Sequence, residues 1–240
     1  MTSRALNSAP APATPARTRR LLALGYGLLA GLLAGVLWFA VARPVQVLPR
    51  IRPAPAFTLT DAGGRWLGAE ELRGRVVLLS FGYTRCGVEC AALEERLLAA
   101  RDGLAQAGLL GQEVALVTIS VDPEHDTPAT LRRYAARLGA DERTWRFLTG
   151  APAEIKEVVG GGFHVYYAPR TPGGAGPPLE LDQRAVLVDG SGVIRAEYGL
   201  AQLEVWRVLR DVELVRREAA SSGWERPVYD AAHLFVCYPN

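Results

Sequence analysis

Cysteine and histidine are scarce in this chain, with three of each among 240 residues. Any redox or metal chemistry must therefore draw on a short set of candidates. Excess charge is also lacking. The formal net charge is +2, which argues neither for nor against a polyanionic partner. No Lys/Arg run interleaved with aromatics occurs in the body of the chain, so a nucleic-acid surface is not expected. Charge is missing altogether from Leu21 to Ala42, a run of 22 residues.

That run is long enough to cross a hydrocarbon core of about 30 Å. Residues 1–16 are rich in Ala, Pro, Ser and Thr, with too little apolar bulk to fold. Arg17, Arg19 and Arg20 then precede the run, and Trp38 lies near its far end. Basic residues before the span favour a cytoplasmic N-terminus, although Arg43, Arg50 and Arg52 weaken the asymmetry. Ala40-Val-Ala42 resembles a signal-peptide cleavage site. Signal h-regions, however, run about 7–15 residues, so an uncleaved anchor is the expectation. The remainder would then lie outside the cytoplasm, in a bacterial periplasm, where disulfides persist.

Cys86 and Cys90 lie where an apolar run gives way to a helical pattern, in Phe81-Gly-Tyr-Thr-Arg-Cys86-Gly-Val-Glu-Cys90. Spacing i, i+4 on a helix brings Cβ atoms to roughly 5–6 Å, within reach of a disulfide. A helix start lowers thiol pKa, and a thiolate pair suits a soft ion such as Cu(I). The pair supports redox chemistry, metal binding or both. As a purely structural bridge it would close a very short loop and stabilise little.

The rest of the chain alternates strand and helix patterns. Residues 43–55, with four prolines, read as an extended linker. Ala56–Thr60, Val76–Phe81 and Val114–Val121 read as strands, the last two buried on both faces. Helices are expected over Ala91–Ala107, from the Thr127 cap and Pro128 onward, over Ile155–Val159 and over Leu203–Arg217. Residues 169–178 read as an irregular Pro/Gly loop, and Gly190-Ser-Gly192 turns a final hairpin. The predicted plan is a disordered segment 1–20, an anchor 21–42, a linker 43–55, a domain 56–218 and a tail 219–240. The fold class is α/β, a three-layer domain with a dithiol at its first strand-to-helix junction, as in thioredoxin.

From Ala56 to Arg217 the chain resembles the Sco/SenC family of membrane-anchored, thioredoxin-fold copper proteins. The resemblance rests on Tyr83-Thr-Arg-Cys86-x-x-x-Cys90, on Ser120-Val-Asp-Pro-Glu-His-Asp-Thr-Pro128 and on Trp145-Arg-Phe-Leu-Thr-Gly150. It implies a metallochaperone that delivers copper to the dinuclear site of cytochrome c oxidase, or a reductant of that site's disulfide. The implied partner is the oxidase copper-site subunit or another periplasmic thiol protein. The implied metal ligands are Cys86, Cys90 and a histidine just before the final hairpin. Here that segment is Leu181-Asp-Gln-Arg-Ala-Val-Leu-Val-Asp189, with Gln183 in the histidine's place. An amide oxygen matches Cu(I) poorly; a two-thiolate Cu(I) site is favoured over a Cys₂His Cu(II) site.

Among the three histidines, His164 is the candidate substitute ligand, weighed against an ordinary packed or surface role. His125 reads as a solvated loop residue. His233 and Cys237 have metal-compatible spacing but read as a mobile tail with a spare thiol. Asp122 and Asp126 fit either a partner-facing or a capping role. The competing function is a thiol–disulfide oxidoreductase with no metal, in which Cys86 attacks and Cys90 resolves. Against it, reductases of the thioredoxin type usually place two residues between the cysteines. A peroxidase has only Thr84 beside Cys86 in its favour.

Overall fold

The computed structural model describes residues 16–42, 46–170, 176–223 and 225–235. Two compact units divide at Val45 and Gln46. The first contains helix α1, Ala16–Ala42. Its stretch Arg17–Trp38 has a mean hydropathy of 2.0 and is long and apolar enough to cross a membrane. The helix begins before Leu21, so the arginines expected in a disordered segment form its first turns; residues 1–15 lie outside the described residues.

The second unit is built on an eight-stranded sheet in the order β1-β10-β9-β4-β5-β6-β2-β3. The strands are β1 (Arg52–Pro53), β2 (Thr58–Asp61), β3 (Trp66–Gly68), β4 (Val76–Gly82), β5 (Val114–Ser120), β6 (Trp145–Thr149), β9 (Arg184–Val188) and β10 (Val193–Gly199). A separate ribbon pairs β7 (Tyr167–Pro169) with β8 (Leu179–Leu181). The centre runs parallel from β4 to β5 to β6, and the hairpin β9–β10 joins antiparallel to β4.

The central strands are apolar throughout because both faces are covered. Along β4, Val76 and Leu78 enter one core and Val77, Leu79 and Phe81 the other, as a period of two requires. The first core is capped by α2 (Val88–Gln106), α3 (Pro128–Arg137) and α5 (Val205–Ala220), through residues such as Leu97, Leu131 and Val212. The second is closed by Leu72, Ile155, Val159 and Phe163. This gives the three-layer thioredoxin-like α/β architecture. Helices α2 and α5 meet at Gly103, where a Cβ would stand 2.5 Å from Val205 Cγ1; any larger residue would push them apart.

Several elements depart from the sequence expectations. The predicted linker joins the fold well before Ala56: Val47 and Leu48 are fully buried, and Arg52 and Pro53 pair with Ile194 and Val193. Arg195 draws this segment in, donating to the Leu48 carbonyl at 2.7 Å and to that of Pro49 at 3.1 Å. Trp145–Thr149 forms β6, and its Trp145 indole donates to Thr118 Oγ1 at 2.9 Å. The expected helix Ile155–Val159 resolves into α4 (Pro152–Ile155) followed by a π-helical turn, Lys156–Gly162. The Pro/Gly loop is flanked by the β7–β8 ribbon. The tail contains α6 (Glu225–Phe235), held to α5 by His233 Nε2, 2.9 Å from Glu218 Oε1. Cys237 lies outside the described residues.

Candidate functional site

Strand β4 runs straight into the cysteine segment. Tyr83 to Cys86 forms a turn in which the Cys86 amide donates to the Tyr83 carbonyl at 3.2 Å. Gly87 follows with φ 62°, in left-handed backbone that glycine adopts without strain, and caps α2. Cys86 therefore stands before the helix rather than on it, and Cys90 occupies the first turn. The expectation that both sulfurs share one helical face is corrected: the left-handed glycine turns the chain between them. The two are joined as a disulfide with a Cα–Cα distance of 5.6 Å. Both are buried, at 4 % and 3 % exposure, in the second core, whereas Val88 between them is 90 % exposed.

The turn is held from below by the loop after β5. Asp126, fully buried, accepts from the Thr84 amide at 3.0 Å, from the Thr84 hydroxyl, and from the Ser120 hydroxyl at 2.5 Å. Asp122 accepts from Arg85 Nε at 2.9 Å. His125 Nδ1 lies 2.8 Å from Arg85 Nη2 and 2.9 Å from Asp122 Oδ1. A neutral ring can accept from the arginine or donate to the carboxylate, but not both through one nitrogen. Asp122 and Asp126 thus shape the two residues preceding Cys86, while Thr127 Oγ1 caps α3 by accepting from the Thr130 amide at 3.3 Å.

The β7–β8 ribbon holds the other side. The Tyr83 hydroxyl donates to the Leu179 carbonyl at 2.5 Å and accepts from the Leu179 amide at 3.2 Å. Burial pushes the Tyr83 phenol up, against the lowering effect of the Leu179 amide that donates to it, so it remains a donor. Arg170, just past β7, grips Glu89 with both terminal nitrogens at 3.0 and 2.7 Å. Neither contact has a local sequence signature: the partners are 96 and 81 positions apart.

Gln183 reaches the same place. Its Nε2 donates to the Glu89 carbonyl at 2.7 Å, and its Oε1 is buried with no hydrogen-bond partner. The Gln183 side chain is therefore packed against the segment between the two cysteines. His164 is exposed, with φ 57°, in the irregular stretch between the π-helical turn and β7. Among the described residues no three His, Cys, Asp or Glu side chains group to hold a metal ion, so the structure does not bring His164 together with the cysteines as a third ligand. What converges here is two sulfurs and an amide.

Comparison with known proteins bears on the fold and the family. The SCO1 protein homolog of Bacillus subtilis is 31 % identical over 104 residues, 43 % of this chain and 52 % of that protein. The chain spans about half the length of the curated relatives it matches first. ScoI of Bradyrhizobium japonicum with copper bound superposes with a TM-score of 0.57 at 26 % identity, covering 67 % of this chain and 98 % of the other. ScoI of Arabidopsis thaliana with copper bound gives 0.58 at 26 % identity, covering 68 % and 98 %. A family model described as SCO1/SenC matches residues 48–212, from the buried residues after α1 into α5, and the chain belongs to that family.

Proposed function

We propose that this protein is a Sco-type copper metallochaperone for cytochrome c oxidase assembly, taking Cu(I) as cargo on Cys86 and Cys90. The observation that carries the reading is the pair itself: two cysteines 5.6 Å apart at Cα, at the start of α2, with no histidine grouped with them as a third ligand among the described residues. Reduced, the pair offers two soft sulfurs beside the positive end of a helix dipole, which suits Cu(I). The disulfide offers no thiolate, so loading requires prior reduction, and release leaves a dithiol able to be oxidised again.

Gln183 sets the oxidation-state preference. A hard amide oxygen adds little to Cu(I) bound linearly by two sulfurs, and it replaces the imidazole that a Cys₂His Cu(II) site would use. The anchor α1 would hold the domain on the periplasmic side of a bacterial inner membrane. The partner would be the copper-site subunit of the oxidase or another periplasmic thiol protein.

Cu(I) titration of the reduced full chain against a competing chelator tests this. Wild type should bind one equivalent, and Cys86→Ser/Cys90→Ser should lose it. Binding no tighter in wild type than in the double variant would remove the copper reading. The reading left standing would then be a thiol–disulfide oxidoreductase, favoured by the bonded state of the pair and by the histidine's replacement.

A further inference from the structure

A buried side-chain oxygen without a partner is costly, and in native proteins such atoms are few. Gln183 Oε1 is one. Its position is fixed by the other end of the same amide, which is held on the Glu89 carbonyl at 2.7 Å, in the residue before Cys90. The amide cannot flip to satisfy its oxygen without breaking that bond and setting two carbonyl oxygens against each other. The orphan acceptor is therefore anchored beside the cysteine pair.

A disulfide has no hydrogen to offer an acceptor. Reduction changes that. A thiolate of a partner dithiol attacks one sulfur, the Cys86–Cys90 bond breaks, and a mixed disulfide forms. The partner's second thiol then resolves it. Two electrons and two protons arrive on Cys86 and Cys90, and the partner departs as its own disulfide. The site now holds two S–H groups, each a weak donor. We infer that Gln183 Oε1 is the acceptor for a thiol of the reduced pair, so that this side chain favours the dithiol over the disulfide and acts as a redox-positioning residue. Nothing in the oxidised arrangement gains from the oxygen, which is why it stands unpartnered there.

The inference rests on the Cys86/Cys90 pair cycling between dithiol and disulfide, which the copper reading requires for loading. It also explains why glutamine is a suitable residue at this position. Its donor end locks the orientation, and its acceptor end waits for the reduced state. Methionine, of similar length, would do neither.

The test is the redox equilibrium of the full chain in detergent with a glutathione buffer, together with the S–H stretching band in the infrared spectrum of the reduced protein. Gln183→Met keeps the side-chain length and removes both amide atoms. It should shift the equilibrium about fivefold toward the disulfide, about 20 mV more negative at about 30 mV per tenfold for two electrons. One S–H band should also move to higher frequency as its acceptor is lost. Gln183→Asn withdraws the amide by one methylene and carries the same expectation should the methionine variant fold poorly.

An unchanged equilibrium would overturn the inference. So would a shifted equilibrium with an unchanged S–H band, because the effect would then come from packing rather than from acceptance. Cu(I) titration of the same variants separates the two proposals. If wild type fails to bind copper while the potential and band still move, the chaperone reading falls and the role of Gln183 stands.

Discussion

At the scale of single residues, the side chain that does most to shape the site is Asp126. It has no cationic partner among its hydrogen bonds; three donors from Thr84 and Ser120 surround it. Removing the carboxylate leaves those three donors facing a void, each with a desolvation penalty. Asp126→Ala should therefore cost about 3 kcal/mol in urea denaturation of the oxidised protein. Thr84→Val, which removes one hydroxyl from the set, should cost about 1 kcal/mol. If Asp126→Ala were no worse than Thr84→Val, Asp126 would not be what holds the turn. The sequence showed Asp126 as a loop residue near a helix cap. Its reach to Thr84 spans 42 positions and has no periodic or spacing signal.

At the scale of elements, the β7–β8 ribbon is the piece fastened beside the cysteine segment. The cysteine loop presents Val88 to solvent while both sulfur-bearing residues stay buried. A reductant or copper donor must therefore displace something, and the ribbon is fastened beside the pair by Tyr83 and Arg170. The Arg170–Glu89 pair is partly exposed, so it adds modest stability. Tyr83 is the better lever because its removal changes no charge near the attacking thiolate. Tyr83→Phe should speed reduction of the disulfide by dithiothreitol several-fold, with a stability loss of about 1 kcal/mol. A slower melt-independent assay, stopped-flow reduction at fixed temperature, reads this. An unchanged rate alongside the stability loss would mean that the ribbon does not gate the pair.

The strands and helices that carry this site were largely legible. Val76–Phe81 and Val114–Val121 are apolar without interruption, which is the mark of central strands covered on both faces. The hairpin announced itself through Gly190-Ser-Gly192. The ribbon did not, because two three-residue strands separated by a Pro/Gly stretch carry no pattern long enough to stand out from the loop. The first helical turn was misplaced for a related reason: a CxxxC spacing fits a helix, and nothing local revealed that Gly87 would take the left-handed conformation between the cysteines.

At the scale of the whole folded unit, a buried ionic cluster ties distant parts of the chain together. Arg195 is 2 % exposed and bonds Asp189 at 3.0 Å and Glu218 at 2.5 Å, besides the Leu48 and Pro49 carbonyls. Glu218 also accepts from Arg50 at 2.7 Å and contacts His233. The segment after α1, the hairpin, α5 and α6 thus meet at one carboxylate. Burial works to raise the pKa of Glu218, but hydrogen bonds from Arg195, Arg50 and His233 outweigh it and hold the group down at about 2. A folded-state pKa below the unfolded value of about 4.5 means that the contribution is present above pH 4.5. It is lost as pH falls from about 4.5 through about 2.

Chemical denaturation across that window should show wild type losing on the order of 3 kcal/mol from this group. Glu218→Gln should be less stable at neutral pH and flatter over the same range. Parallel pH profiles for the two proteins would show that Glu218 is not the titrating group.

Adjacent or regularly spaced residues are enough to specify the long apolar helix, the central strands and the cysteine pair. Tertiary structure alone decided what surrounds the sulfurs. Gln183 meets Glu89 across 94 positions, and Tyr83 meets Leu179 across 96. Arg195 likewise pulls the supposed linker into the fold across 147. Side-chain patterns specify which face of an element is apolar; which polar atom is left waiting beside a disulfide depends on how the packed elements come to rest against one another.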